Sequence, residues 1–196
     1  MIKILFEGTE LSGKSALIQS VYSALRNEEY DVAVNSGPLN KTSKIVSASL
    51  NFANRTKSKT MKEIGYSAGM LFDRIPSRLN PDYFLQERGF PSVVAFSRVF
   101  NPIGLNRYFG RIIIPFYSHF DYNFLISASP EDRIKRLHER TSNTWLDELV
   151  ESDPEKILKL EEEIRKIITI ERNYTEIDTS KKSLEESTEE IIWRIK

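Results

Sequence analysis

Cysteine is absent from this chain, which excludes disulfide bonds and thiolate chemistry and is typical of cytoplasmic proteins. The chain also lacks a charge excess, because 28 basic residues balance 28 acidic ones, so no overall basic field indicates a nucleic acid partner. No apolar run approaches the roughly 20 residues of a membrane-spanning helix. Lys3 is followed by a strand-like run rather than by the core of a signal peptide. We therefore expect a cytoplasmic protein with neither nucleic acid nor membrane partners.

Internal repeats, low-complexity tracts and interdomain linkers are also missing from the sequence. A length of 196 residues suffices for one substantial hydrophobic core and is short for two. These features predict a single domain that spans residues 1–196.

What the sequence does contain is a complete phosphate-binding motif near its start. Residues 8–15 read Gly-Thr-Glu-Leu-Ser-Gly-Lys-Ser and match the pattern G-x-x-x-x-G-K-[ST], with an apolar run before it and an amphipathic helix after it. The alternative interpretation is a Gly/Ser turn with an exposed lysine, and the flanking strand and helix argue against it. The motif predicts a nucleoside triphosphate site formed by Gly8, Thr9, Glu10, Leu11, Ser12, Gly13, Lys14, Ser15 and Ala16.

The residue types of the motif suit this ligand. Glycines let the backbone wrap closely around phosphate oxygens, so that N–H groups and the positive end of the helix point at the anion. Lys14 supplies a mobile charge for the β- and γ-phosphates, and the hydroxyl of Ser15 is a ligand for Mg²⁺. We therefore expect ATP and Mg²⁺ as the cofactors.

Strand and helix patterns alternate along the rest of the chain. Apolar runs predict strands at residues 2–6, 30–35, 83–85, 122–128 and 174–177. Helical spacing predicts helices from the loop to about residue 27 and at 63–79, 92–100, 131–140, 145–170 and 183–195. Residues 106–120 fit either element, and we predict a helix because a parallel sheet needs a crossover before its next strand. The order of elements predicts a parallel α/β fold.

A glutamate and an arginine follow the short apolar strand at 83–85. In open α/β sheets the ligand crevice lies at the carboxyl ends of the strands, so Glu87 and Arg88 are candidate catalytic residues. A surface salt bridge is the alternative interpretation of this pair.

Basic residues are concentrated in two further places. Arg133, Arg136 and Arg140 are spaced three and four apart and therefore share one face of a predicted helix. They predict either a solvated helix end or a lid, at about residues 133–150, that brings guanidinium groups to the transferred phosphate. The basic segment at 40–62 indicates either a solvated face or a mobile segment over an anionic substrate.

Three local matches occur in one order and together resemble the thymidylate kinase family of nucleoside monophosphate kinases. The first is the phosphate loop. The second is the segment from Glu87 to Phe96, which is similar to the family's Asp-Arg-Tyr, Ser and Ala-Tyr/Phe pattern, and the third is the Pro-Glu…Arg…Arg pattern from Pro130 to Arg140. The resemblance implies a P-loop NTPase fold of three layers, with a five-stranded parallel sheet flanked by helices.

The resemblance also implies a reaction: transfer of the γ-phosphoryl group of ATP to a nucleoside monophosphate, most specifically dTMP. A small-molecule nucleotide is then the partner, and a homodimer is expected by analogy. The implied catalytic residues are Lys14, Glu87, Arg88, Arg133, Arg136 and Arg140, with Ser15 and Glu87 at the metal. Acceptor binding is implied for Phe72, Arg74, Arg88, Ser92 and Phe96, and a place near the adenine for Asp178 and Thr179.

Two departures from the family pattern affect the acceptor. After the second strand the family carries Arg-Glu-Pro-Gly, whose Arg grips the acceptor phosphate, and this chain has Asn-Ser-Gly-Pro at 35–38. The family's stacking Phe precedes a pocket Arg by four positions, whereas Phe72 has Pro76 at that offset and Arg74 has Met70 four residues earlier. Moreover, Glu before Arg88 is the pattern of the deoxynucleoside kinases.

These departures leave two alternatives open. One is a kinase for a deoxynucleoside or another small-molecule hydroxyl acceptor. The other is a nucleotide-binding switch or a degenerate kinase homologue without transfer activity.

Overall fold

The computed structural model of the protein describes residues 1–37, 44–56, 58, 61, 64–65, 68–69, 80–101, 120–141, 144–170 and 173–196. The helix predicted at 106–120 and most of the helix predicted at 63–79 lie outside the described residues, as does much of the basic segment at 40–62. Among the described residues, no helix has the length and apolar character that crossing a membrane requires.

Five parallel strands form one sheet, as predicted, and their order is β2-β3-β1-β4-β5. The strands are β1 (Ile2–Glu7), β2 (Val32–Ser36), β3 (Tyr83–Glu87), β4 (Tyr122–Ser127) and β5 (Tyr174–Asp178). The first strand lies at the centre, and the chain fills one side of it before crossing to the other. Such a reversal of strand order opens a crevice at the carboxyl ends of the central strands. The phosphate motif follows β1 directly and therefore lies at this crevice.

Helices cover both faces of the sheet and make the fold three-layered. The described helices are α1 (Lys14–Asn27), α2 (Lys44–Arg55), α3 (Phe90–Phe100), α4 (Pro130–Glu139), α5 (Trp145–Ser152), α6 (Pro154–Ile168) and α7 (Leu184–Ile195). Alternate residues of β4 show how each face obtains its core, because successive strand side chains point to opposite faces. Phe124 and Ile126 pack with α1 and α7, whereas Leu125 packs with α3 and α6.

The continuous helix predicted at 145–170 is wrong in one respect, because the structure divides it into α5 and α6. Asp153 lies between them with φ −150°, and its side chain accepts a hydrogen bond from the Lys156 N–H at 3.2 Å. Pro154 follows as the first residue of α6, where its missing N–H costs nothing. The Asp-Pro pair therefore ends one helix and begins the next, and it changes the direction of the chain beside the predicted lid.

Candidate active site

The phosphate loop has the backbone geometry that its glycines predict. Gly8 has φ 147°, and a Cβ atom there would lie 2.3 Å from the carbonyl oxygen of Ile126, so only glycine fits. Gly13 has φ 85° and ends the loop as the N-cap of α1, without a side-chain cap. The first N–H groups of α1 and its positive end are therefore turned toward the loop.

Lys14, Ser15 and Glu87 meet at the mouth of this loop. The carboxylate oxygen Oε1 of Glu87 accepts hydrogen bonds from Lys14 Nζ at 3.1 Å and from the Ser15 hydroxyl at 2.9 Å. The β1–β3 register brings them together, because Glu87 lies beside Phe6 and the loop begins two residues later. Of the sequence-predicted residues, these three form the most compact group.

The charges and the burial of Lys14 and Glu87 shift the pKa values of both side chains. Burial raises the pKa of Glu87, but the Lys14 ammonium and the hydrogen bonds from Lys14 and Ser15 outweigh it, so the net pKa lies below its usual range. Burial and the nearby Arg88 guanidinium lower the pKa of Lys14 despite the attraction of Glu87. A carboxylate and a hydroxyl oxygen 2.9 Å apart beside a phosphate loop fit the preference of Mg²⁺ for oxygen ligands.

Arg88 is held at the same edge by its backbone and by its side chain. Its φ of 59° is left-handed, an uncommon conformation outside glycine. The Arg88 N–H donates to the Phe6 carbonyl at 2.8 Å, and Gln86 Nε2 donates to the Arg88 carbonyl at 2.7 Å. The guanidinium forms an ion pair with Oε1 of Glu10 in the phosphate loop, which raises the pKa of Arg88 against the effect of its burial. The second carboxylate oxygen of Glu10 is buried and has no partner among the described residues.

The structure separates the three arginines predicted for the lid, of which Arg133 and Arg136 lie on α4 and Arg140 is its C-cap. Arg136 and Arg140 line the cavity in front of the phosphate loop. Arg136 Nη1 donates to the Leu11 carbonyl at 2.9 Å and to the Thr179 hydroxyl at 3.0 Å. Arg133 is only 1% exposed and does not line that cavity.

Arg133 instead lies beneath the loop in a buried polar network. Its Nη1 donates to the Thr9 hydroxyl and, at 3.0 Å, to the Glu10 carbonyl, and its Nε donates to the Ala128 carbonyl at 2.9 Å. Its Nη2 forms an ion pair with Glu161 of α6, which also accepts a hydrogen bond from the Thr9 hydroxyl at 3.2 Å. Because Arg133 is buried and joins Thr9 and Glu10 of the loop to Glu161 of α6, it supports the loop from behind.

Arg140 is held in front of the loop by the start of α5. Its Nη1 donates to Oδ1 of Asp147 at 3.0 Å. The other carboxylate oxygen of Asp147 accepts from the Thr144 N–H and the Thr144 hydroxyl, each at 2.8 Å, and completes a capping box. One buried carboxylate thus both caps α5 and holds Arg140, an arginine of the predicted lid, at the cavity wall.

These side chains enclose a cavity of about 570 Å³. Its lining combines the loop with the ends of β2 and β3 and with the beginning of the predicted lid. Four of the lining side chains are cationic (Lys14, Arg88, Arg136 and Arg140) and three are carboxylates (Glu10, Glu87 and Asp147). Three of these cations are already paired with the three carboxylates, as Lys14–Glu87, Arg88–Glu10 and Arg140–Asp147, and an anionic ligand would have to take over those pairings.

A second cavity, of about 300 Å³, lies on the other side of the loop, between α1 and the start of α7. Its walls include Gly13, Ala16, Leu17 and Thr179. The Thr179 hydroxyl donates to the Ser12 carbonyl at 2.8 Å and so ties the end of β5 to the loop. The structure does not place Asp178 in the lining of either cavity, and its carboxylate pairs with Lys181 at 2.9 Å.

The predicted acceptor residues are only partly brought together. The Ser92 hydroxyl donates to Glu7 and is nearly buried. Phe96 stacks on Phe100 with ring centroids 4.5 Å apart and meets the Trp145 ring edge-on at 6.0 Å. It lies in this aromatic cluster and not in the lining of the large cavity. Phe72 and Arg74 lie outside the described residues.

Sequence reasoning missed Glu7, which is 0% exposed at the end of β1. Its Oε1 accepts the Gly89 N–H at 2.7 Å and the Ser92 N–H at 3.3 Å, and its Oε2 accepts the Ser92 hydroxyl. Burial raises the pKa of Glu7, and the hydrogen bonds from Ser92 and Gly89 offset that rise only in part. The available signal was a charged residue at the end of a predicted buried strand, directly before the phosphate motif.

Comparisons with known proteins agree with the fold. No family model and no curated relative matches the chain. Among solved structures, thymidylate kinase from Ehrlichia chaffeensis superimposes with a TM-score of 0.65 at 15% identity, over 100% of this chain and 98% of that one. Thymidylate kinase from Candida albicans gives 0.63 at 18% identity, over 99% and 90%. Deoxyadenosine kinase from M. mycoides, solved with dCMP and dCDP, gives 0.64 at 15% identity, over 99% and 98%.

These similarities confirm the predicted P-loop fold and, at the level of the fold, the predicted resemblance to thymidylate kinases. The neighbours include kinases that phosphorylate a nucleotide and a kinase named for a deoxynucleoside. At 14–18% identity the fold does not separate these two kinds of acceptor.

Proposed function

We propose that the protein is a kinase that transfers the γ-phosphoryl group of ATP to a nucleotide or nucleoside. The observation that carries this proposal is the meeting of Lys14, Ser15 and Glu87 at the mouth of a complete phosphate loop. Structural neighbours named as thymidylate and deoxyadenosine kinases support it.

The donor half of the reaction follows from the loop. The loop N–H groups and Lys14 would bind the β- and γ-phosphates, and the base would enter the smaller cavity beside Thr179. Ser15 and Glu87 would hold Mg²⁺, which supplies charge neutralisation at the β- and γ-phosphates when bound. Because Lys14 now donates to Glu87, ATP would exchange that carboxylate for phosphate oxygens.

The transfer step needs alignment and charge neutralisation more than proton transfer. An acceptor oxygen attacks the γ-phosphorus while the bond to the β–γ bridging oxygen breaks, and ADP leaves. A phosphate acceptor is already ionised, whereas a hydroxyl acceptor would also pass its proton to a carboxylate of the cavity lining, Glu10 or Glu87. Arg136 and Arg140 line the same cavity as Lys14, so they would approach the charge that the transferred group carries. Arg133 takes no direct part, because its donors are committed behind the loop.

Our first candidate for the acceptor is a nucleoside monophosphate, specifically dTMP. Arg88 lies at the carboxyl end of β3 on the cavity wall, where a guanidinium can bind an acceptor phosphate. Such an acceptor is already ionised and needs no general base. By the same resemblance, residues 1–196 would act as one domain and pair as a homodimer.

A second candidate is a deoxynucleoside or another hydroxyl acceptor. At the end of β2 the cavity is lined by Ser36 and Gly37, so the described part of this wall offers no cation to a phosphate. Glu10 and Glu87 line the cavity as carboxylates and provide acceptors for a sugar hydroxyl. Residues 38–43, which include Lys41, lie outside the described ranges.

The experiment that separates these candidates is an ADP-release assay with ATP, Mg²⁺ and matched pairs of deoxynucleosides and their 5′-monophosphates. Turnover with dTMP but not thymidine supports the first candidate. Turnover with deoxynucleosides alone supports the second and rejects the first. If no acceptor stimulates ADP release while ATP still binds, the protein is a nucleotide-binding homologue without transfer activity.

A further inference from the structure

Helix α3 begins without a cap of its own. Its N-cap is Gly89, which has no side chain to offer to the first-turn N–H groups. Pro91 has no N–H, so the donors at the start of this helix are the N–H groups of Gly89, Phe90 and Ser92. Such groups are usually satisfied by a side chain at the N-cap or by water.

Glu7 supplies the missing cap from another element. Its Oε1 accepts hydrogen bonds from the Gly89 N–H at 2.7 Å and from the Ser92 N–H at 3.3 Å. Its Oε2 accepts a hydrogen bond from the Ser92 hydroxyl. Glu7 belongs to β1 and is covalently joined to Gly8, the first residue of the phosphate loop. One buried carboxylate therefore fixes the start of α3 relative to the start of the loop.

Arg88 lies between two held parts of the chain, the end of β3 at Glu87 and the N-cap of α3 at Gly89. It precedes Gly89, it has the left-handed φ of 59°, and its guanidinium reaches Glu10 within the loop. A left-handed residue with a long side chain persists only where its surroundings hold it in place. The Glu7 contacts hold the chain on the carboxyl side of Arg88, and the β1–β3 pairing holds it on the other side.

Burying this carboxylate has a cost that packing alone does not explain. Glu7 forms no direct ion pair within the part of the chain that the structure describes, and burial raises its pKa more than the hydrogen bonds and the nearby Arg88 guanidinium lower it. A buried carboxylate without a directly paired cation is expensive even when it is hydrogen-bonded. Such costs are characteristic of sites where geometry matters more than stability.

We infer that Glu7 is a positioning residue for the acceptor half of the site: by capping α3 from β1 it holds Arg88 in the orientation that receives the acceptor. This inference rests on the proposed function for the identity of the bound acceptor. Its structural part, the cap itself, is independent of the reaction.

The test compares Glu7→Ala with Glu7→Gln, which restores a carboxamide oxygen as an acceptor. Asp153→Asn serves as the matched control, because it neutralises a helix-capping carboxylate at the start of α6, outside the lining of both cavities. Three quantities are measured for each protein: amide hydrogen exchange at Gly89 and Ser92, affinity for a non-hydrolysable ATP analogue, and the KM for the acceptor identified in the panel.

In the native protein we expect slow exchange at Gly89 and Ser92, although neither amide takes part in the internal hydrogen bonding of α3. Glu7→Ala should speed both by roughly 10- to 100-fold, the loss expected for hydrogen bonds to a charged group. The acceptor KM should rise at least about tenfold while affinity for the ATP analogue changes by less than about twofold. Glu7→Gln should restore most of the acceptor affinity, and Asp153→Asn should change neither substrate.

Several results would overturn the inference. Free exchange of Gly89 and Ser92 in the native protein would show that the cap is absent, and this measurement needs no variant that folds. Equal losses of acceptor and ATP affinity in Glu7→Ala would indicate a structural role only, as would a glutamine variant no better than alanine. If the native protein phosphorylates no acceptor, the proposed function fails, whereas amide exchange still decides whether the cap exists.

Discussion

Ion pairs lie on two sides of the phosphate loop, and their arginines differ in exposure. We call the side beneath the loop, with Arg133 and Glu161, the rear, and the side that lines the large cavity, with Lys14, Arg88 and Arg140, the mouth. At the rear, Arg133 and Glu161 have side chains only 2% and 8% exposed. At the mouth, the Arg88 and Arg140 side chains are 28% and 45% exposed, although their partners Glu10 and Asp147 are only 9% and 2% exposed. The Lys14–Glu87 pair is intermediate, with side chains 6% and 19% exposed. The rear pair also donates to or accepts from Thr9, whereas the mouth pairs line the large cavity.

This difference explains how one loop can be held rigidly on one side and still bind a ligand on the other. A fully buried ion pair with complete hydrogen bonding cannot exchange partners without exposing an unpaired charge. A pair whose arginine is partly exposed can turn that arginine toward a phosphate in the cavity, provided that its carboxylate keeps other hydrogen-bond donors, as Asp147 does at Thr144. We therefore interpret the rear ion pair as a structural support of the loop, and the cations at the mouth as groups that can bind an anionic ligand.

Removing the arginine of the rear ion pair should have the largest effect on the stability of the protein. Arg133→Met leaves Glu161 buried without its main partner, and we expect the free energy of unfolding to fall by about 3–5 kcal/mol. Chemical denaturation at neutral pH measures it. The matched double variant Arg133→Met/Glu161→Met should recover part of that loss, because no buried charge is then left alone. A loss below about 1 kcal/mol in the single variant would remove the distinction between rear and mouth.

Breaking the mouth at its centre should affect the reaction and spare the fold. Lys14→Ala removes the charge for the transferred phosphate, and we expect phosphoryl transfer to slow by about 10²–10³-fold. Glu87 keeps the Ser15 hydroxyl as a partner, so the protein should remain folded. Steady-state kinetics measures the effect. Lys135→Ala, which removes an exposed cation of α4 outside the cavity lining, should retain the native rate.

Removing Arg140, at the edge of the mouth, should slow the reaction less than removing Lys14. Arg140→Met should lower kcat by roughly tenfold, because one cation near the transferred group is lost. Its free energy of unfolding should fall by about 1–2 kcal/mol, less than for Arg133→Met, because the buried carboxylate of Asp147 loses one donor but keeps both Thr144 donors. His138→Gln, on the exposed side of the same helix, is the control for both measurements. A stability loss equal to that of Arg133→Met would show that the two arginines are equivalent.

The smallest effect concerns pH and the buried carboxyl of Glu7. Because burial raises its pKa in the folded state, the folded protein binds this proton more tightly than the unfolded chain does. Its contribution to stability is therefore fully present below the ordinary glutamate pKa of about 4.3 and is lost as pH rises through the raised pKa. Glu7→Gln lacks this dependence. The Tm of the native protein, minus that of the glutamine variant, should fall as pH rises through this window, and a rise would reverse the sign of the shift.

The sequence predicted the mouth better than the rear, for a physical reason. The loop, Lys14 and Ser15 are encoded by local spacing, and the strand-end rule brings Glu87 and Arg88 to the same edge. The three-and-four spacing of Arg133, Arg136 and Arg140 predicts a shared helix face but not its depth. The depth depends on α6, whose Glu161 is 28 positions from Arg133 along the chain. Local patterns carry no information on such a pairing.

Glu7 and Asp153 show two further limits of sequence reasoning. The alternation of β1 predicts which face a side chain occupies, but the partner of Glu7 at Gly89 lies 82 residues away. Asp153 and Pro154 did carry a local signal for a helix boundary, and the apolar spacing at 145–170 hid it. Phe72 and Arg74, which the sequence predicts in the acceptor pocket, lie outside the described residues.

The most direct test of the central claim follows the phosphoryl group itself. The protein is incubated with Mg²⁺ and ATP labelled at the γ-phosphate, together with dTMP in one reaction and deoxynucleosides in the others. The account predicts that the label appears on an acceptor and that this transfer falls by about 10²–10³-fold in Lys14→Ala. Label that stays on ATP or appears only as inorganic phosphate with every acceptor would contradict it.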